Sequence, residues 1–424
     1  MGKEGLTFSR NRLVLRKVMS PWVSSIAAPV GERARFCIRR TKCSIHNKRR
    51  RPMKKYLRLC STGFIAAAVA VSSIGMVTDA SGAMLSAGEK KLARAAKKEG
   101  AVVLINPLFS DRTAKRMGPA FAKFYGLGSG FKFNNIRKGT GSTVATVRQE
   151  IRAGKFTIDV HLVSAPGFFY AAQKRGAFSK LNSVYWKDSV ELVEKAGQYH
   201  NYPYVVTPLA YTFQPVWNSS CPGMKDITIN SYEDAVQIAL KGKTISPDIT
   251  KSFTYTNTVI SLMENGVDMN AIWDKLKLTD PIVEFRTEPK IQMVIACERP
   301  FDMMNLSGRV YQNVLKKPAL AKILKIGSYK EGQVLLGNQA AAVKGGPHPN
   351  AAKLLVDFLL SKEGADIFVE GEAIYSFRKG YVAPAAARPY LLDLSKHKLL
   401  GLKDWVGAQK KFKKVRGEWI KRFK

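Results

Sequence analysis

Between Ala101 and Arg175 the chain alternates three times between a short apolar run and an amphipathic run of helical length. No other feature limits the fold so strongly. Strands separated by helix-length connections cannot pair as hairpins, so they lie parallel under a cover of helices. The expected elements are a strand Ala101–Ile105, a helix near Arg112–Tyr125, the strand "FKFNNI", a helix from Thr143 to Ala153, the strand "IDVHLV" and a helix Phe168–Arg175. Gly100 separates the first strand from a basic helix before it.

After Leu181 the pattern loosens, and "YPYVVTPLAYTFQPVWNSS" supplies extended segments broken by proline. A second α/β region starts near Thr228, with helices expected at Tyr232–Lys241, Thr256–Asn265 and Met269–Leu276 and strands at Ile282–Arg286 and Phe301–Met304. Residues 333–344 read as paired strands leading into "GGPHPNAAKLLVDFLLSKEGADIF". There two glycines and two prolines force a turn, Asn350 is placed to cap a helix, and Ser361 restarts a second one. A basic helical segment from His397 ends the chain, and no internal repeat is present.

The 424 residues suffice for two or three domain-sized units. Lys and Arg number 69 against 32 Asp and Glu, giving a formal charge of +37. Only 17 of the basic and 3 of the acidic residues fall in 1–83, so the body is itself strongly basic and favours anionic partners. From Met53 the chain runs through Lys54, Lys55 and Arg58 into the apolar stretch Leu59–Val77, then to small residues near Ala83. That order is a secretory signal peptide at 53–83, and residues 1–52 are read as an upstream extension. Cys60 stands at the start of the apolar stretch, not behind it, so it is not placed as a lipoprotein cysteine. Beyond the leader only Cys221 and Cys297 remain. They are enough for one disulfide in an oxidising compartment, with nothing in their spacing to decide whether they meet.

Enzyme signatures are missing: HExxH, GxSxG and a Walker loop do not occur, and "GLGSGF" has the wrong spacing and leads into a strand. His161, His200, His348 and His397 are dispersed, and no Cys/His cluster suggests a metal. No catalytic residue, cofactor or metal ligand is therefore expected. What recurs is a strand, a loop of small polar residues and a helix start: "NPLFSD", "KGTGST", "VSAPG" and "DITKSFTYTNT". Helix N-termini joined by Ser and Thr hydroxyls suit anions and polar solutes, and such loops meet at the carboxyl edge of an open sheet. They mark Ser110, Thr140, Gly141, Ser142, Ser164, Ala165, Ser252 and Thr254 as candidate solute contacts.

"EGAVVLINPLF", "IRKGTGSTVATVRQEIRAGKFTIDVHLVSAPGFFYAAQKRGAF" and "KGGPHPNAAKLLVDFLLSKEGADIF" together resemble bacterial extracellular solute-binding proteins of the ferric-iron ABC transporter type, from about Glu89 to the C-terminus. The resemblance implies the type II periplasmic-binding-protein fold, two α/β lobes joined by two crossover strands near Thr207–Phe213 and Gly332–Leu336. It implies lobe one as 84–208 plus 333–375, and lobe two as 209–332 plus 376–424. It places Phe109, Ser164 and the stretch "NLSGRVY" where iron-binding members carry metal ligands. Phe and Ser cannot hold ferric iron as imidazole and carboxylate do, and no Tyr-Tyr pair occurs. The expectation is a monomeric periplasmic receptor that closes on a small organic anion and delivers it to an inner-membrane permease. Ferric iron is the alternative; an exported enzyme and a nucleic-acid binder rank below it. Tyr211, Asn305 and Arg309 complete the candidate contacts. A guanidinium at Arg309 suits a carboxylate or phosphate.

Overall fold

The computed structural model describes residues 85–424. The extension 1–52 and the leader 53–83 lie outside the described residues. Helix α1 (Ala87–Glu99) opens on a capping box between Ser86 and Glu89 and stops at the left-handed Gly100. Then come β1 (Ala101–Asn106), α2 (Asp111–Phe124), β2 (Lys132–Arg137), α3 (Thr140–Ala153), β3 (Val160–Val163) and α4 (Pro166–Lys174), the alternation read from the sequence. β1 pairs in parallel with both β2 and β3, as helical crossovers require. A short α5 (Val190–Lys195) precedes β4 (Val206–Tyr211).

One residue later, β5 (Phe213–Asn218) belongs to a different sheet. That second sheet gains β6 (Thr244–Ser246), β7 (Ile282–Val283), β8 (Phe301–Leu306) and β9 (Leu324–Ile326), in the order β7-β6-β8-β5-β9. Its helices are α6 (Phe253–Glu264), α7 (Met269–Leu278), α8 (Thr287–Ile295), α9 (Ser307–Lys316) and α10 (Leu320–Ile323). The chain returns through β10 (Gln333–Val334) to β11 (Leu336–Ala342), which inserts antiparallel between β3 and β4. Then α11 (Pro349–Leu360), α12 (Lys362–Glu372) and the edge strand β12 (Tyr375–Ser376) complete the first sheet, ordered β12-β4-β11-β3-β1-β2. Finally β13 (Leu399–Leu400) pairs with β10, and α13 (Ala408–Phe423) packs on α6 and α7. The result is the two-lobed α/β architecture expected. No helix among the described residues is long and apolar enough to cross a membrane.

Several local readings change, and the strand expected at Ile282–Arg286 covers only Ile282–Val283. Residues 232–241 form two single 3-10 turns, Asp234–Val236 and Ile238–Leu240, not one helix. Ser231 Oγ accepts from the Asp234 amide and Asp234 Oδ2 from the Asn230 amide, so side chains take over bonds a helix would use. Ile238 is left 66% exposed. In residues 333–344, β10 and β11 do not pair with each other; each finds a partner elsewhere.

The Gly/Pro stretch is a structural corner. Asp159, fully buried, accepts from the Val103 amide (2.7 Å), the His348 amide (2.7 Å) and His348 Nδ1 (2.7 Å). Gly345 has φ +90°, and a Cβ on Gly346 would come to 3.0 Å from Asp159 Oδ1. Both positions therefore need glycine. His348, not Asn350, is the N-cap of α11; Asn350 and Ala351 donate to Glu99, locking α11 onto α1. In the second lobe Cys221 and Cys297 are disulfide-bonded, with Cα atoms 5.6 Å apart.

Candidate functional site

Strand ends and helix starts from both sheets face each other across a cleft of about 730 Å³. The first lobe contributes Pro107 and Leu108 behind β1, and Arg137 to Ser142 where β2 passes into α3. The second contributes Lys251 to Tyr255 at the start of α6, Phe285 to Glu288 at the start of α8, and Leu306 and Arg309 at the start of α9. Tyr211 and Phe213 flank the crossing from one sheet to the other. This is where open α/β sheets bind ligands, because the loops there are free of sheet pairing and helix N-termini point inward.

Seven of the twelve candidates line this cleft: Thr140, Gly141, Ser142, Tyr211, Ser252, Thr254 and Arg309. Thr140, Gly141 and Ser142 form the first turn of α3, and Gly141 and Ser142 are exposed. Ser252 caps α6 by accepting from the Tyr255 amide at 3.2 Å. Burial pushes the Tyr211 phenol well up, against the pull of a hydrogen bond with Thr254 and the charge of Arg309.

The other five lie outside it. Asn106 Oδ1 accepts from the amides of Leu108 and Phe109, and this turn sends Phe109 inward against Phe368. Ser110 caps α2, and its amide donates to Glu372. Ser164 faces a separate small gap beside Gln339 and Trp405, and the Ala165 amide donates to Gln339. Asn305 is buried and donates to the Thr287 carbonyl, so it positions the start of α8.

The charges are lopsided. Arg137, Lys138, Lys251, Arg286 and Arg309 line the cleft against one carboxylate, Glu288. Arg309 is 7% exposed; its Nε donates to Thr287 Oγ1 (3.0 Å), Nη1 to Gln312 (2.7 Å), and Nη2 lies 3.0 Å from Glu288 Oε1. Arg137 Nη2 reaches the same oxygen at 2.7 Å from the first lobe. Burial pushes the Glu288 carboxyl up, but Arg309 and then Arg137 outweigh it and hold the group down at about 2. Arg286 is paired with Glu284, whereas Lys138 and Lys251 make no ion pair among the described residues.

Sequence reasoning missed Arg137, Lys138, Lys251 and the stretch Phe285–Glu288. Lys138 and Lys251 stand inside loops already singled out, "KGTGST" and "DITKSFTYTNT", and Arg137 directly precedes the first. The last repeats the same pattern of strand, loop and helix start without glycine or serine to advertise it. Among the described residues no group of three or more His, Cys, Asp and Glu stands together as a metal would need. His161 is sealed against Phe168 and Phe169, and burial pushes its imidazole down to about 3.

No family model and no curated protein matches the sequence. The fold, by contrast, is shared with many solved structures. Iron-bound HitA from Pseudomonas aeruginosa is 17% identical with a TM-score of 0.59, over 75% of this chain and 99% of that one. The substrate-binding protein of an ABC transporter from Agrobacterium tumefaciens is 14% identical with a TM-score of 0.62, over 75% and 94%. A Trichodesmium protein (IdiA, FutA) in complex with iron and citrate ligands is 16% identical with a TM-score of 0.55, over 76% and 98%. Likenesses of this kind establish the fold, that of periplasmic binding proteins.

Proposed function

We propose that this chain, with its periplasmic-binding-protein fold, is the solute receptor of an ABC importer and takes a small organic anion between its lobes. It works in the periplasm as a monomer, hands the solute to an inner-membrane permease, and carries out no catalysis. The observation that carries the reading is the charge of the cleft: five cationic side chains against one carboxylate, with the N-termini of α3, α6 and α8 turned to the same space. Lys138 of the first lobe and Lys251 of the second are the cations that make no ion pair among the described residues. Arg309, already bound to Thr287, Gln312 and Glu288, adds a buried positive charge to the same lining.

Calorimetry with acetate, succinate, tricarballylate, inorganic phosphate and neutral sugars tests it. Binding by the anions alone is expected, and an added Lys138→Ala or Lys251→Ala change weakens it about tenfold or more. At a hundredfold excess over Kd the bound anion raises stability by about 2.7 kcal/mol. A neutral or cationic best ligand overturns the reading.

Ferric iron is the second reading, favoured by structural neighbours whose names carry iron. The phenols lining the cleft are Tyr211 and Tyr255, and Tyr255 Oη already donates to the Met304 carbonyl at 2.9 Å. Burial pushes both phenols up and so opposes phenolate formation. A visible ferric-phenolate absorption band on adding iron would establish this second reading in place of the first.

A further inference from the structure

We propose that Glu288 is a built-in stand-in for the solute: its carboxylate joins Arg137 of the first lobe to Arg309 of the second, and a polyanionic solute takes its place. The inference rests on the receptor reading and names the class of solute that reading left open.

One oxygen carries the whole junction. Glu288 Oε1 accepts from Arg137 Nη2 at 2.7 Å and lies 3.0 Å from Arg309 Nη2. Arg137 ends β2, whereas Glu288 and Arg309 open α8 and α9, so the contact ties the two sheets across the mouth of the cleft. The other oxygen accepts only from Thr287 Oγ1, at 3.1 Å.

The partners differ in how firmly they are held. Arg309 is 7% exposed and fixed by Thr287 and Gln312, while Glu288 is 51% exposed and Arg137 34%. A buried guanidinium must keep a counter-ion, because leaving its charge unpaired is the costly outcome. Nothing requires that counter-ion to be Glu288. A junction this exposed shifts a two-state equilibrium by only about two- to fivefold, so a ligand can displace it. Glu372, the next carboxylate, lies 4.0 Å from Arg309 Nη1, and Gln312 stands between them. It is 4% exposed, and its oxygens are already taken by the Ser110 amide, Thr113 and Gln312.

Exchange then selects for charge. A neutral solute cannot replace Glu288 at Arg309. A monoanion merely trades one carboxylate for another. A solute with two or more anionic groups can fill the place between Arg137 and Arg309 while another of its groups meets Lys138 and Lys251.

Glu288→Gln in the full chain tests this in two ways. Without ligand, hydrogen exchange at the amides of 138–142 and 286–289 is expected to rise about two- to fivefold as the junction opens. Arg137→Gln should do the same, and the double variant no more than either single one. With tricarballylate, calorimetry is expected to show at least fivefold tighter binding to Glu288→Gln than to the wild type, and a smaller gain with acetate. Unchanged exchange overturns the junction. Weaker tricarballylate binding overturns the stand-in and makes Glu288 a contact for a cationic group. Equal affinity in the two proteins overturns the exchange while leaving the receptor reading intact; binding to neither overturns both.

Discussion

Each lobe buries a carboxylate at its centre and neutralises it differently. In the first lobe Asp159 is held by two peptide amides and by His348, whose ring is 21% exposed. In the second, Asp302 accepts from a single peptide amide, that of Met304 (3.0 Å), and faces Lys290, and both side chains are completely buried. The ammonium also donates to the Met304 carbonyl at 2.5 Å and lies 4.8 Å from the centre of the Tyr255 ring. Burial pushes Lys290 down, against the pull of Asp302. Peptide donors remain in place whatever side chain stands nearby. Two buried charges are conditional on each other. In the second sheet only β5 and β8 reach six residues, with two in β7 and three each in β6 and β9, whereas the first has four strands of six or seven, β1, β2, β4 and β11, besides β3 of four and β12 of two. Where the sheet offers less pairing, an ion pair and a disulfide join the elements.

The sharpest break of that contrast is Lys290→Met. It leaves buried Asp302 with the Met304 amide but no counter-charge, so a loss of about 3–5 kcal/mol is expected in urea denaturation. Replacing Asp302 by Leu in the same chain should recover part of it. The matched first-lobe change, His348→Ala, should cost only about 1–3 kcal/mol, because Asp159 keeps its peptide donors. Equal losses would erase the distinction.

Next in size is the disulfide. Cys221→Ala with Cys297→Ala opens a loop between residues 76 apart and should lower stability by about 2–4 kcal/mol. A loss below about 1 kcal/mol, at the low end of the range for such bonds, would mean that the second lobe does not lean on its covalent link.

The last effect lies in the first lobe, depends on pH and vanishes in acid. Burial pushes the Asp357 carboxyl on α11 up to about 7, although Ser183 donates to it. Its folded value lies above its unfolded one, so the protonated form is favoured by folding. That contribution is complete below about pH 4 and is lost as pH rises towards 7. Asp357→Asn should therefore gain about 2–4 kcal/mol at pH 8 and nothing at pH 4, read from denaturation curves at both. A gain at pH 4 as well would point to packing, not ionisation.

The first lobe was legible because its strands and helices are continuous runs with periodic apolar faces. Even the Gly/Pro corner was readable as a corner, although its cause, the buried Asp159, sits 189 residues from His348. Residues 232–241 misled because buried Tyr232, Ala235, Val236 and Leu240 imitate helical spacing while Ser231 and Asp234 divert the backbone. In the candidate site, three of the four small polar loops led to cleft-lining residues, yet direction within a loop was invisible. Asn106 turns Phe109 away from the cleft and leaves Leu108 facing it. Glu288 carried no local sign at all, since its role comes from Arg137 and Arg309, brought to it only by tertiary folding.

The position of β11 has a consequence for how the chain is made. Its neighbours β3 and β4 are synthesised long before it, and until Leu336–Ala342 emerges the first sheet lacks a member from its middle. Early segments can form helices and the local β1–β2–β3 pairing, but they cannot close a lobe. A nascent chain of this topology stays unfinished until most of it has left the ribosome, because contacts so distant in sequence form late. Delayed completion keeps the growing form pliable and lets the last-made fifth of the molecule set the moment of folding.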